Sequence, residues 1–335
     1  MKKLLFIFLV LFSTSSFAQP SDELLQKAQA GDAQAQNNLG RIYLDEDSVS
    51  KDYIQAKQWL EKAAMQGNAE AQFNLGLIYA NGLGVTQDYT QAKQWLEKSA
   101  LQNNADAQNI LAELYFWGRG VPQDYAQTKH WYEQAALQGN IRAQSKLATL
   151  YFFGSGVAQD YAQAKQWFEK AALQGDVTSQ SILGGIYAEG KGVPLDYAQA
   201  KQWYEKAALQ GAVKAQFILG TMYALGKGTP TDYPQARQWF EKAATQGHAQ
   251  AQFGLGVMYE NGEGGAQDYA KALYWYEKAA TQGLASARYK MGTMFEGGKG
   301  VPQDYLQAKI WYDYSCDTGF QQGCDDFKRL NAATR

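Results

Sequence analysis

From Asp160 to Gly175 the chain reads DYAQAKQWFEKAALQG, with its apolar residues Ala164, Trp167, Phe168 and Ala171 at helical spacing. Residues so spaced share one stripe of a helix. Asp160 followed by Gln163 resembles a capping box, in which the carboxylate covers free backbone N–H groups at a helix start. Gly175 is the stop, because glycine enters the left-handed conformation of a helix end most readily. The preceding stretch, NIRAQSKLATLYFFGSG, carries a second stripe at Ala143, Leu147 and Tyr151. Asn140 stands at its N-cap, and Gly154 and Gly156 turn the chain towards the next Asp-Tyr. The pattern predicts two helices per unit, A and then B.

The unit recurs. Asp-Tyr pairs begin at Asp52, Asp88, Asp124, Asp160, Asp196, Asp232, Asp268 and Asp304, always 36 residues apart. Trp59, Trp95, Trp131, Trp167, Trp203, Trp239, Trp275 and Trp311 keep the same step. A fixed period of this length predicts a solenoid whose units bury their apolar faces on their neighbours. Residues 21–31 read as an N-terminal cap helix, 32–319 as eight repeats and 320–335 as a more polar C-terminal cap helix, making 19–335 one solenoid domain. The first unit departs in its loop, where DEDSVSKDY puts Glu46 and Ser48 in place of the two glycines.

Units of Ala-x-x-x-Leu-Gly-x-x-Tyr, a Gly-x-Gly loop, an aromatic and then EKAA before glycine resemble Sel-one-like repeats, 36-residue relatives of tetratricopeptide repeats. The likeness runs over about residues 21–330. It implies an all-α fold, an α/α right-handed superhelical solenoid, working as a protein-interaction scaffold and often found in bacterial envelopes or secretion.

The first residues, MKKLLFIFLVLFSTSSFAQ, have the charged, apolar and small-residue order of a secretory signal peptide, with Ala18 before the cut. The apolar run from Leu4 to Phe12 is too short to span a bilayer comfortably. The mature chain, 19–335, is therefore expected to be exported, to the periplasm or beyond the cell, and not inserted in a membrane. Loss of Lys2 and Lys3 leaves a net charge of about −4 with no basic tract, which disfavours nucleic acid. Cys316 and Cys324 are the only cysteines. Eight apart across a helix–turn–helix, they read as a disulfide in an oxidising compartment, with two free thiols as the alternative. The gap also resembles the bridge within each unit of cysteine-rich family members, here confined to the last junction.

Candidate chemistry is sparse, and the expectation is a protein with no cofactor, no metal and no catalytic site. The two histidines, His130 and His248, sit at surface positions filled elsewhere by Gln, Asn or Asp and form no metal cluster. The Gly-x-Gly loops, such as Gly190-Lys191-Gly192, follow helices and read as turns rather than phosphate cradles. Ser48-Val49-Ser50-Lys51 matches the Ser-x-x-Lys of penicillin-interacting enzymes, and some cysteine-rich relatives are described as penicillin-binding or slow β-lactamases. That makes a peptidoglycan- or β-lactam-interacting protein the alternative reading. It lacks Ser-Asp-Asn, Lys-Thr-Gly and a positioned base. The repeated aspartates and glutamates lie a unit apart, too far to share a proton, and the tryptophan row reads as core.

Binding should fall to the positions that do not repeat. In tetratricopeptide-like superhelices helix A lines the concave surface, and the resemblance places variable helix A residues there. One row reads Asn37, Phe73, Asn109, Ser145, Ser181, Phe217, Phe253 and Tyr289; another includes Leu77, Glu113 and Thr149. Phe116, Trp117, Phe152 and Phe153 add an aromatic cluster at the helix ends, and Phe217 with Phe253 a second patch. These rings are either an exposed hot spot for a protein or peptide partner or packing between units.

Overall fold

The computed structural model of the chain describes residues 20–45 and 52–333. The expected signal peptide and the Ser48–Lys51 pair lie outside the described residues. Among those described there are eighteen helices and no strand. The chain is an all-α solenoid, divided into two compact units that meet in sequence at Gln174 and Gly175.

The first unit holds α1 (Asp22–Gln29), α2 (Ala33–Leu44), α3 (Tyr53–Met65), α4 (Ala69–Asn81), α5 (Tyr89–Leu101), α6 (Ala105–Trp117), α7 (Tyr125–Leu137), α8 (Ile141–Phe153) and α9 (Tyr161–Leu173). Each helix packs on its sequence neighbours. The aspartate of each Asp-Tyr caps a B helix: Asp88 accepts from the Thr90 and Gln91 backbone N–H groups at 2.9 and 3.0 Å. Asparagine or aspartate caps the A helices here, as when Asn68 accepts from Ala71 N–H at 2.8 Å.

The Gly-x-Gly loops have two distinct jobs. Gly118 ends α6 at φ +64°, a left-handed cap. Gly120 lies against the start of α5 in the preceding repeat, where a Cβ would stand 2.6 Å from the Tyr89 carbonyl oxygen. The loop is thus an inter-repeat joint, which accounts for its recurrence without any phosphate. Inside most repeats a similar close approach joins A to B, alanine replacing the glycine at Ala112 and Ala148. A Cβ on Gly76 would stand 2.6 Å from Leu96 Cγ, so glycine lets the fully buried leucine seat against the α4 backbone. Burying such a leucine stabilises by roughly 2 kcal/mol.

The second unit holds α10 (Val177–Glu189), α11 (Tyr197–Leu209), α12 (Val213–Leu225), α13 (Tyr233–Thr245), α14 (Ala249–Asn261), α15 (Tyr269–Thr281), α16 (Ala285–Gly297), α17 (Tyr305–Cys316) and α18 (Gln321–Ala333). Rings fill the deepest B position throughout this unit, as Tyr132 and Phe168 already do in the first unit, and Tyr276 and Tyr312 are almost wholly buried beside Gly256 and Gly292. Cys316 and Cys324 form a disulfide across the α17–α18 turn, with Cα atoms 4.5 Å apart. Leu330 of α18 is buried, and with Ala308 and Tyr312 it closes the end of the core.

The tryptophan row sits at the margin of the core rather than its centre. Trp131, Trp167, Trp203 and Trp239 are buried, but Trp59, Trp95, Trp275 and Trp311 are only half-buried. Lysines three residues on cover several ring faces, Lys170 Nζ lying 3.9 Å from the Trp167 ring centre. The residue after the tryptophan is usually the deeper one, as with Leu60, Phe168 and Tyr276.

Candidate interaction surface

Within each unit the A helices meet through polar side chains as well as apolar ones. Glu70 of α4 accepts from Arg41 at 2.6 Å and from Asn37 at 2.8 Å, both on α2. In the second unit Lys290 of α16 pairs with Glu260 of α14 at 2.9 Å, and Arg329 of α18 with Glu296 of α16 at 2.8 Å. Glu260 also accepts from the buried Tyr276 hydroxyl at 2.7 Å, and Glu296 from Tyr312 at 2.6 Å. Burial and the neighbouring carboxylate push both phenols well above their ordinary value. Despite its partial burial, the Glu260 carboxyl is held below its ordinary value by Lys290 and Tyr276. Each phenol hydroxyl thus donates to a carboxylate across an A–B helix pair, Tyr276 to Glu260 and Tyr312 to Glu296.

A second polar feature runs along each unit where B meets the next A. Gln108 of α6, buried, donates to Ala100 O at 3.0 Å and accepts from Gln138 at 2.7 Å. Gln72, Gln144, Gln216 and Gln252 repeat the arrangement. Sequence reading passed over this ladder, although AQ near the A start and QG after the B helix recur in most repeats in plain view.

The expected binding residues separate by burial. Phe73, Leu77 and Asn109 are buried. Glu113, Phe116, Ser145, Thr149 and Phe152 are half-buried in the first unit, as are Phe217, Phe253 and Tyr289 in the second. Trp117 and Phe153 are 53% and 66% exposed. Two adjacent residues on a helix point about 100° apart, so each aromatic pair divides. Phe116 turns inward to Tyr125, with ring centres 5.7 Å apart, and holds Trp117 edge-on at 4.7 Å. Phe152 packs on Tyr161 and Phe168 and holds Phe153 edge-on at 5.0 Å. The cluster is both packing and exposed surface, one ring of each pair doing each job.

In the second unit Phe217 stacks on His248 at 4.7 Å and lies near Phe240, and Phe253 leans on Tyr276. His248 caps α14, its Nδ1 accepting from Ala251 N–H at 3.3 Å. Burial and Lys214 lower its pKa, which keeps that nitrogen an acceptor. Glu113 has Lys146, Arg142 and Arg119 nearby, yet burial pushes its carboxyl up.

Sequence reading also missed a column of exposed aliphatics at the B-helix ends of the first unit: Met65, Leu101, Leu137 and Leu173. Among the described residues no three His, Cys, Asp or Glu groups converge as a metal site, and no helix is long and apolar enough to cross a membrane.

Helix pairs of nearly constant length, stacked through buried glycines and glutamines, define a tandem helical-repeat solenoid. The chain belongs to the Sel1 repeat family, whose model matches residues 33–68, 69–104, 105–140, 141–176, 177–211, 213–248, 249–284 and 285–320. It is similar to c5321, a protective antigen present in uropathogenic Escherichia coli strains that displays an SLR fold. Identity is 39%, coverage 95% of this chain and 67% of that one, and the TM-score 0.89. A Sel1 repeat protein from Oxalobacter formigenes is 30% identical over 97% of this chain and 98% of its own, with a TM-score of 0.68. No curated protein matches the chain. Sel1 repeat proteins are generally protein–protein interaction scaffolds.

Proposed function

We propose that this protein is an exported scaffold that holds a protein or peptide partner on the surface built by the first helix of each repeat, without catalysing a reaction. The observation that carries the reading is the pair Trp117 and Phe153, exposed at equivalent ends of α6 and α8 and each braced by an inward phenylalanine. An exposed ring held by its neighbour loses little freedom on binding, and such aromatics dominate interface energetics. Glu113, Ser145 and Thr149 lie on the same two helices and offer polar groups to the same partner. Export is supported by the leader-like first residues and by the disulfide, a bond that persists in oxidising compartments.

The test replaces only the outward rings, Trp117→Ser with Phe153→Ser, leaving Phe116 and Phe152 to keep the packing. Affinity capture from envelope extract should lose its partner while helicity stays unchanged. Undiminished capture by the double variant overturns the assignment. Fractionation with intact-mass measurement should find the chain outside the cytoplasm and without its first residues; a full-length cytoplasmic product overturns export.

A further inference from the structure

A cavity of about 810 Å³ opens in the first unit between α2, α4 and the α5–α6 turn. That is within the range of about 300–1,000 Å³ typical of ligand pockets. Its floor is aliphatic and aromatic, including Ile42, Phe73, Leu77 and Leu83. Its rim carries carboxamides from Asn38, Asn74, Gln102, Asn103 and Asn104. Two features make this rim particular to the first repeats. Asn38 and Asn74 occupy a position that reads Ile110 and Lys146 in the next two repeats. Asn103 holds a left-handed φ of 64°, where the neighbouring repeats have Gly67 and Gly139 with no side chain. A carboxamide therefore stands on the rim at a place where the repeats on either side present nothing.

The charge around the cavity is one-sided. Among the described residues Asp45, Glu70 and Asp106 line it with one cation, Arg41, which Glu70 engages at 2.6 Å, while Asp106 Oδ1 accepts from the Asn140 carboxamide at 2.8 Å. Gln102 Nε2 donates to Gln72, Asn104 Oδ1 accepts from Ala107 N–H, Asn74 Nδ2 donates to Asn37 and Asn38 Oδ1 accepts from Gln34; the remaining donors and acceptors of these carboxamides, with those of Asn103, complement peptide N–H and C=O. An apolar floor, an amide rim and surplus negative charge together select one occupant.

We infer that this cavity takes a short extended segment of a partner polypeptide, with an apolar side chain on the floor and an adjacent Lys or Arg towards Asp106. This rests on the scaffold reading above, whose partner chemistry it specifies, but it concerns a different surface from Trp117 and Phe153.

The probe is acetyl-Gln-Leu-Lys-Gln-amide, titrated to about 5 mM, beyond the ~1 mM of a weak specific site, into the full chain with labelled Ile and Leu methyl groups. Saturable shifts are expected at Ile42, Leu77 and Leu83. The Leu-Glu counterpart should bind at least about fivefold more weakly, since opposed charge discriminates partners, and so should the Ser-Lys counterpart. Asp106→Lys, at an exposed position, should reverse the order of the Lys and Glu peptides. No shift at these methyls, equal binding of the Lys and Glu peptides, or an order unchanged in Asp106→Lys overturns the inference. Capture lost in the Trp117/Phe153 variant with no peptide shift in the cavity sinks this site and leaves the scaffold reading standing; the converse sinks the aromatic surface alone.

Discussion

Replacing Gln108 by methionine keeps the volume of the side chain close to native while removing both of its hydrogen bonds. One goes to Ala100 O at 3.0 Å and the other comes from Gln138 at 2.7 Å. Ala100 O retains a bond from Asn103 N–H at 3.0 Å, so no carbonyl is orphaned. At about 1 kcal/mol net per bond the loss is about 2 kcal/mol. Gln138→Ala removes the shared bond and a long 3.5 Å bond to Gln134 O in its own helix, both from an exposed side chain, and should cost about 1 kcal/mol. Urea unfolding of both variants and of the double variant makes a double-mutant cycle, in which the coupling is the shared bond. Repeat arrays need not unfold in one step. Hydrogen exchange should therefore locate the weakening at α5, α6 and α7. If Gln108→Met costs no more than Gln138→Ala, the ladder does not hold the repeats together and the packing argument fails.

Other consequences follow from the same geometry. Burial raises the Glu113 carboxyl, so its contribution is fully present below the unfolded pKa and is lost as pH rises through the folded one. Glu113→Gln should therefore be more stable than the native chain at about pH 7.5, the difference closing by about pH 3, below the usual carboxylate range; a pH-independent difference in urea midpoint refutes this. Reducing Cys316–Cys324, or changing both to serine, should cost about 2–3 kcal/mol by loop-closure entropy. The effect should show as faster exchange confined to α17 and α18, and uniform loosening of the chain would contradict the terminal staple. Gly120→Ala puts a methyl into the Tyr89 backbone at a left-handed φ. It should lower the melting temperature by several degrees, whereas Gly67→Ala, with open space around it, should cost only the backbone strain.

What the sequence made legible is what repeats locally. Helix starts at Asp88 or Asn68, stops at Gly118, the eight-fold period and the closeness of Cys316 to Cys324 all follow from residues within about one unit of each other. The glutamine ladder joins side chains 30 residues apart, as Gln138 does with Gln108, and only the stacking of helices brings them together. The same holds for Glu260, whose partners Tyr276 and Lys290 lie on the next two helices. Phe116 and Trp117 were visible as a cluster, but which ring faces solvent depends on the position of Tyr125. Asn103 stands on the rim of a cavity through its left-handed φ, which nothing in the sequence around it announces.

The scaffold reading meets its most direct test in a photo-crosslinking residue placed at Trp117 in the living cell, with a second strain carrying it at the exposed Gln166 of α9. A discrete adduct with one other protein at position 117, absent at 166, is the expected result. An adduct at 166 with none at 117 would show that the partner is held on the second helices and that the proposed surface is wrong.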